Sequence, residues 1–199
     1  RSTDVYPETF VHTGYLGGVI TINTLEADDA EREAQRLQLN EPYRTVLGHL
    51  RHESGHYYWQ RLNPDDETRN AFEQAFGAEH GDYKAALARY YAEGPAAGWQ
   101  NHYISAYASA HPTEDWAESW GHYLHIYDAL ETAAAHGIIQ QWPSDLAIDE
   151  RIGQWRSLSV TLNELNRSVG RHDAYPFVLN NEVERKLVFV DRVIRLLQI

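Results

Sequence analysis

The chain has 199 residues, and its 43% hydrophobic content suffices for the core of one domain. The formal net charge of −12 argues against nucleic acid as a partner, because phosphate binding needs clustered lysine and arginine. The absence of cysteine excludes disulfides and cysteine-bound metal in this segment.

No apolar run is long enough to span a bilayer, and no signal peptide is visible, so we expect no membrane partner and a cytoplasmic location. Because the chain begins at Arg1 rather than at a methionine, we expect it to be a trimmed fragment of a longer protein.

Two short strands are predicted near the N-terminus, at 9–12 and 18–23, around a glycine-rich turn at 14–18. A small sheet of this kind can pair with an extended peptide by strand addition, or it can serve as a lid over the core. The sequence favours neither use. A charged helix is predicted at 25–39; its acidic first turn suits the helix dipole better than a calcium site.

The next predicted helix starts at Pro42 and stops at Asn63–Pro64. It carries the pattern His-Glu-x-x-His in His52, Glu53 and His56, on a polar stripe separate from its apolar face. Residues at positions i and i+4 share a helix face, so the two histidines can bind one metal ion with the glutamate beside them. The simpler alternative is a surface helix that happens to contain histidines.

Helices are then predicted at 65–76 and 82–93, the second with Leu87, Tyr90 and Tyr91 toward the core. A longer helix starts at Pro112, with Thr113 as a possible N-cap, and ends near residue 135.

Glu114, Glu118 and His122 repeat every four residues on one face of this longer helix. Beside two metal-binding histidines, such a row suggests that one carboxylate binds the metal and the next orients a histidine. Two more helices are predicted at 145–169 and 181–198. The predicted fold class is therefore predominantly α-helical α+β, with a small N-terminal hairpin beside the motif helix.

The motif His52–His56, followed by Glu114 and Glu118, resembles the gluzincins, zinc peptidases whose third ligand is a glutamate on a second helix. In these peptidases an acidic residue four positions after that glutamate supports the ligands without binding the metal itself. Tyr107, seven positions before Glu114, is similar to the tyrosine that stabilises the oxyanion in lethal-factor-type zinc toxins.

The whole chain resembles the bacterial family described as “putative zinc-binding metallopeptidase”. Blocks at 18–23, 26–29, 44–59, 105–125, 166–170 and 175–177 carry the resemblance. It implies a single zincin-like domain over residues 1–199, without the N-terminal cysteine-rich zinc ribbon that members often carry.

The resemblance implies a peptidase that binds one Zn²⁺ per chain through His52, His56 and Glu114. Glu53 is then the general base that activates water, and Tyr107 the oxyanion donor, with Glu118 behind a ligand histidine. The expected partner is a peptide or protein substrate.

Several alternatives stay open at this point. Glu118 rather than Glu114 can be the ligand, and His172, beside Asp173, can be the oxyanion donor. We expect His49, His122 and His125 to lie behind the ligands or in the core. The domain can also bind zinc as an interaction module without turnover, or hydrolyse a non-peptide amide.

Overall fold

The computed structural model describes residues 13–24 and 45–197. The predicted strand at 9–12 and the predicted helix at 25–39 lie outside the described residues. Inside them the chain forms one antiparallel hairpin and six α-helices, which confirms the predominantly helical α+β class. The elements are β1 (Gly14–Leu16), β2 (Val19–Thr21), α1 (Val46–Leu62), α2 (Asp66–Phe76), α3 (Tyr83–Glu93), α4 (Pro112–Ala135), α5 (Ile148–Ser168) and α6 (Asn181–Leu197).

The hairpin is tighter than predicted. β1 occupies residues assigned to the turn, and it pairs with β2 so that Gly14 faces Thr21 and Leu16 faces Val19. The turn itself is Gly17–Gly18, and both residues have positive φ, at 57° and 85°. Two successive glycines that tolerate positive φ allow a two-residue turn, so the strands meet immediately on either side of it.

Side-chain caps decide where the helices begin. α1 begins at Val46 rather than near Pro42, because Thr45 is extended and its side chain accepts from Gly48 N. α4 begins at Pro112 as predicted, but its N-cap is His111, whose Nδ1 accepts from Thr113 N. The prediction of Thr113 as N-cap was therefore wrong.

The ends of α1, α2, α3 and α4 fall where glycine, asparagine or proline predicted them. α5 begins at Ile148, later than predicted, because Asp145 belongs to a short 3₁₀ helix, Pro143–Asp145. None of the helices in the described part of the chain combines the length and apolar composition needed to cross a bilayer.

α4 is the central helix, with buried side chains from Glu114 to Ala133. It packs most closely against α1. A Cβ on Gly55 of α1 would lie 3.1 Å from both Ala117 Cα and Trp120 Cβ of α4. A Cβ on Gly121 of α4 would likewise come within 3.4 Å of His52 N. The two backbones approach this closely because neither glycine has a side chain.

α3 lies at the edge of the molecule. It buries no side chain, and Tyr91 is exposed while Leu87 and Tyr90 are half-buried. The prediction that these residues face the core was wrong for Tyr91. The helix packs on the short 3₁₀ helix Tyr107–Ala110, a narrow partner that covers only part of its apolar surface.

A buried ion pair ties α6 to the start of α4. Lys186 Nζ donates to Asp115 Oδ2 and to the His102 carbonyl, each at 2.6 Å. Lys186 and Asp115 are both buried. The pair therefore fixes the first turn of α4 relative to the segment that follows His102.

The α1–α4 contact gives a stability test with a matched control. Gly55→Ala adds a methyl group 3.1 Å from Ala117 Cα and Trp120 Cβ, which must then shift, so it should destabilise the fold by about 1–3 kcal/mol despite alanine's better helix propensity. Gly153→Ala in α5 meets no atom within 4 Å and should stabilise by about 0.5–1 kcal/mol. Urea unfolding of the metal-free proteins measures both. A Gly55→Ala protein as stable as wild type would contradict the close packing.

Candidate metal centre

Two histidines of α1 and one glutamate of α4 converge in the contact between these helices. One ligand atom from each of His52, His56 and Glu114 lies within 4.8 Å of the others. His52 Nε2 is 3.1 Å from Glu114 Oε2, and His56 Nε2 is 3.5 Å from Glu114 Oε1. The structure thus brings together the three residues that the resemblance implied as ligands.

Local helix geometry places each of the three. His52 and His56 stand one turn apart on α1, with ring centroids 5.1 Å apart. Glu114 lies in the first turn of α4, where a carboxylate is favoured by the helix dipole.

Glu118, one turn after Glu114, lies on the opposite side of the His52 ring from Glu114. Its Oε1 is 2.7 Å from His52 Nδ1, while Glu114 faces Nε2. Ser105 Oγ donates to Glu118 Oε2 at 2.5 Å. The two carboxylates therefore hold opposite nitrogens of one imidazole, and Glu114 is the one that also faces His56.

The carboxylates and the imidazole shift one another's pKa. Burial lowers the pKa of His52, but hydrogen bonds with Glu114 and Glu118 outweigh burial and hold it well above its usual value. Burial raises the pKa of Glu118, yet His52 and Ser105 bring it to about 2. The pKa of Glu114 also lies well below its usual value, because His52 and His56 overcome its burial. In the metal-free protein the cluster thus holds two carboxylates and a protonated His52.

The donor set fits a divalent cation. Two imidazoles and one carboxylate are a common ligand set of catalytic zinc, which leaves a fourth position open. Two carboxylates face the one His52 imidazole in the metal-free cluster. A divalent ion in place of the His52 proton would balance both carboxylates.

Glu53 and Tyr107 lie beside the cluster. Glu53 is half-buried on α1. Burial and the Glu114 carboxylate raise the pKa of Tyr83, and the charge of Glu53 raises it further. The Tyr107 ring centroid is 5.9 Å from that of His52. Burial, and then the charge of Glu114, raise the pKa of Tyr107, so its hydroxyl stays protonated and can donate a hydrogen bond.

The other candidate histidines make their contacts outside the group of candidate ligands. His122 is buried, with Nδ1 2.9 Å from Tyr175 Oη, and burial lowers its pKa to about 4. His125 Nδ1 is 3.4 Å from Arg51 Nη1. His172 is exposed on the loop after α5, where Arg167 rather than His172 makes the ion pair with Asp173. The structure does not group any of these three with the candidate ligands.

Three contacts were missed by sequence reasoning. Tyr83 Oη donates to Glu114 Oε1 at 2.8 Å, and Ser105 donates to Glu118. Tyr15 of β1 stacks on His56 with ring centroids 6.5 Å apart. Ser105 adjoins the predicted Tyr107 and could have been noticed, whereas the contacts of Tyr15 and Tyr83 depend on tertiary packing and leave no local signal.

The comparisons with known proteins concern nearly the whole chain. The family model described as “Putative zinc-binding metallo-peptidase” matches residues 2–193. The chain is 45% identical over 195 residues to an uncharacterized protein of Mycobacterium bovis and to uncharacterized proteins of two Mycobacterium tuberculosis strains. The alignments cover 92% of this chain and 56% of each relative, so the chain spans little more than half of their length. No solved structure matches the chain at a significant level.

The raised pKa of His52 makes the stability of the metal-free protein depend on pH. Its protonated form contributes stability that is fully present below about pH 6.5 and is lost as pH rises through the higher folded pKa. We therefore expect the free energy of unfolding to fall as pH rises above about 6.5, as measured by urea titration after chelation.

His52→Gln should remove this decline, and His172→Gln, on an exposed loop, should retain it. The depressed pKa of Glu118 acts in a separate window, because its contribution is lost only as pH falls below about 4.5 toward 2. A decline of the same size in His52→Gln would contradict the assignment.

Proposed function

Since the chain belongs to the family described as “Putative zinc-binding metallo-peptidase”, we propose that it is a zinc-dependent metallopeptidase of the gluzincin type that hydrolyses peptide bonds. The observation that carries the proposal is the meeting of His52, His56 and Glu114, with Glu118 behind His52. A surface helix with incidental histidines would not bring a buried glutamate from a second helix onto both rings.

In the proposal His52, His56 and Glu114 hold one zinc ion. When bound there, zinc supplies Lewis-acid chemistry and brings the pKa of a water in its open position to about 7. Three protein ligands with an open position are typical of a catalytic rather than a structural site.

Glu53 is the proposed general base. It follows His52 directly on α1. Its charge helps to raise the pKa of Tyr83, the tyrosine that contacts Glu114. It accepts the proton of the attacking water and delivers it to the leaving amine. Because Glu53 is not one of the three proposed ligands, its carboxylate is available for this transfer.

Tyr107 and Glu118 are the proposed supporting residues. The hydroxyl of Tyr107, kept protonated by burial and by Glu114, donates a hydrogen bond to the oxyanion of the tetrahedral intermediate. Glu118 holds His52 by Nδ1, which directs Nε2 toward Glu114 and His56 and fixes the tautomer needed for metal binding.

The base assignment is tested by Glu53→Gln. We expect this variant to lose hydrolysis of an unbiased peptide library while it retains zinc near one ion per chain, because the amide cannot accept the proton. Cleavage is read by mass spectrometry and zinc by elemental analysis. Zinc lost together with activity would show that Glu53 is not the base. A wild type that binds zinc and cleaves no peptide would favour an interaction module or a non-peptide substrate.

The oxyanion role is tested by Tyr107→Phe, which removes one hydroxyl and little packing. We expect kcat to fall by about 10²–10³-fold, with zinc affinity near the wild-type value, because the hydrogen bond forms in the transition state. Steady-state kinetics on a peptide found in the library digest measures the change. Tyr127→Phe, on α4, is the control and should keep the wild-type kcat. Full activity in Tyr107→Phe would move the oxyanion role to another donor.

A further inference from the structure

Tyr83 makes a direct contact with the candidate metal ligand of α4. Its hydroxyl donates to Glu114 Oε1 at 2.8 Å, across 31 positions of sequence. Glu114 is 1% exposed, so its carboxylate depends on protein donors rather than on bulk water. A hydrogen bond to a buried, ionised carboxylate is among the stronger contacts that a neutral donor can make.

Tyr83 differs from the other partners of Glu114 in one respect. Those partners are His52 Nε2 and His56 Nε2, at 3.1 Å and 3.5 Å. A ring nitrogen that binds a metal has no proton to donate. Among the contacts of the described residues, the Tyr83 hydroxyl is therefore the side-chain donor that stays available to Glu114 when the histidines hold a metal.

The surroundings of Tyr83 fix its ring relative to Glu114. Tyr83 is the first residue of α3, and the side chain of the preceding Asp82 caps that helix by accepting from Ala85 N at 3.0 Å. The ring meets His111 edge to face, with centroids 5.2 Å apart. His111 is the N-cap of α4, the helix whose first turn contains Glu114. The Tyr83 ring and the Glu114 carboxylate are thus both positioned by the N-terminal end of α4.

The hydroxyl contributes little to the core. α3 buries no side chain, and Tyr83 is itself 41% exposed although its Oη reaches a buried partner. Removing the hydroxyl while keeping the ring would preserve the contact with His111 and would change one hydrogen bond of Glu114.

We propose that Tyr83 is a positioning residue for the metal site, which orients the Glu114 carboxylate as Glu118 orients His52. The inference rests on the proposed zinc site. With Tyr83 bonded to Oε1, the rotation of the carboxylate is restricted, and Oε2 is presented toward His52 Nε2. Outer partners of this kind raise metal affinity by limiting the orientations of the ligand.

The test compares two tyrosines of matched exposure. Tyr83→Phe should weaken Zn²⁺ binding by about 10–100-fold, measured by competition with a chelating indicator. Tyr58→Phe is the control: Tyr58 lies on the metal-binding helix α1, is 40% exposed, and contacts Tyr57 and Trp120 through its ring. It should keep the wild-type affinity. Unchanged affinity in Tyr83→Phe would overturn the proposal.

Cobalt substitution separates positioning from a general loss of stability. In the Co²⁺-loaded proteins, the visible absorption bands report the ligand arrangement, so Tyr83→Phe should shift them and Tyr58→Phe should not. Weaker zinc binding with a wild-type cobalt spectrum and a lowered melting temperature of the metal-free protein would make the effect structural and would overturn the proposal.

The outcome is independent of turnover. A wild type that binds zinc but hydrolyses no peptide would refute the proposed peptidase activity and leave the Tyr83 comparison intact. A wild type that binds neither zinc nor cobalt would overturn both proposals. Affinity lost in Tyr83→Phe alone, with a shifted cobalt spectrum, would support the positioning role whatever the substrate.

Discussion

The close approach of α1 and α4 is the constraint on which the candidate site depends. Gly55 lies inside the His-Glu-x-x-His motif, and a Cβ there would lie 3.1 Å from Ala117 Cα and Trp120 Cβ, closer than ordinary van der Waals contact. Trp116 Nε1 donates to the Gly55 carbonyl and Trp120 Nε1 to Ser54 Oγ, each at 2.9 Å, which anchors the two helices at the same level. Because the backbones approach closely here, His52 Nε2 and Glu114 Oε2 come within 3.1 Å of each other from ordinary helical positions.

Charge imposes the second constraint, since Glu114 is buried and Glu118 is largely shielded within the same packed layer. Each carboxylate is held by a neighbour from another element: Glu118 by Ser105 and Glu114 by Tyr83. Lys186 secures the first turn of α4 by its pair with Asp115. The three helices α3, α4 and α6, together with the segment that precedes α4, therefore all contribute to the position of one carboxylate pair.

Much of this arrangement follows from local sequence rules. The spacing of His52, His56, Glu114 and Glu118 predicts shared helix faces, because helical period is a local property. The resemblance to zinc peptidases then pairs the two helices. Threonine is a preferred N-cap residue, so the sequence predicted Thr113, whereas the N-cap of α4 is His111, two residues earlier. The hydrogen bond of Tyr83 to Glu114 and the stacking of Tyr15 on His56 were not predicted, because they depend on packing between residues that are distant in the sequence.

The central claim is that a metal ion lies between α1 and α4, and the most direct measurement is anomalous X-ray diffraction at the zinc edge from crystals of the zinc-reconstituted protein. We expect one strong anomalous peak per chain, bound by His52, His56 and Glu114, with Glu118 on the far side of the His52 ring. A peak bound by Glu118 in place of Glu114 would exchange their roles. No peak between these helices, or a zinc ion bound elsewhere, would contradict the account.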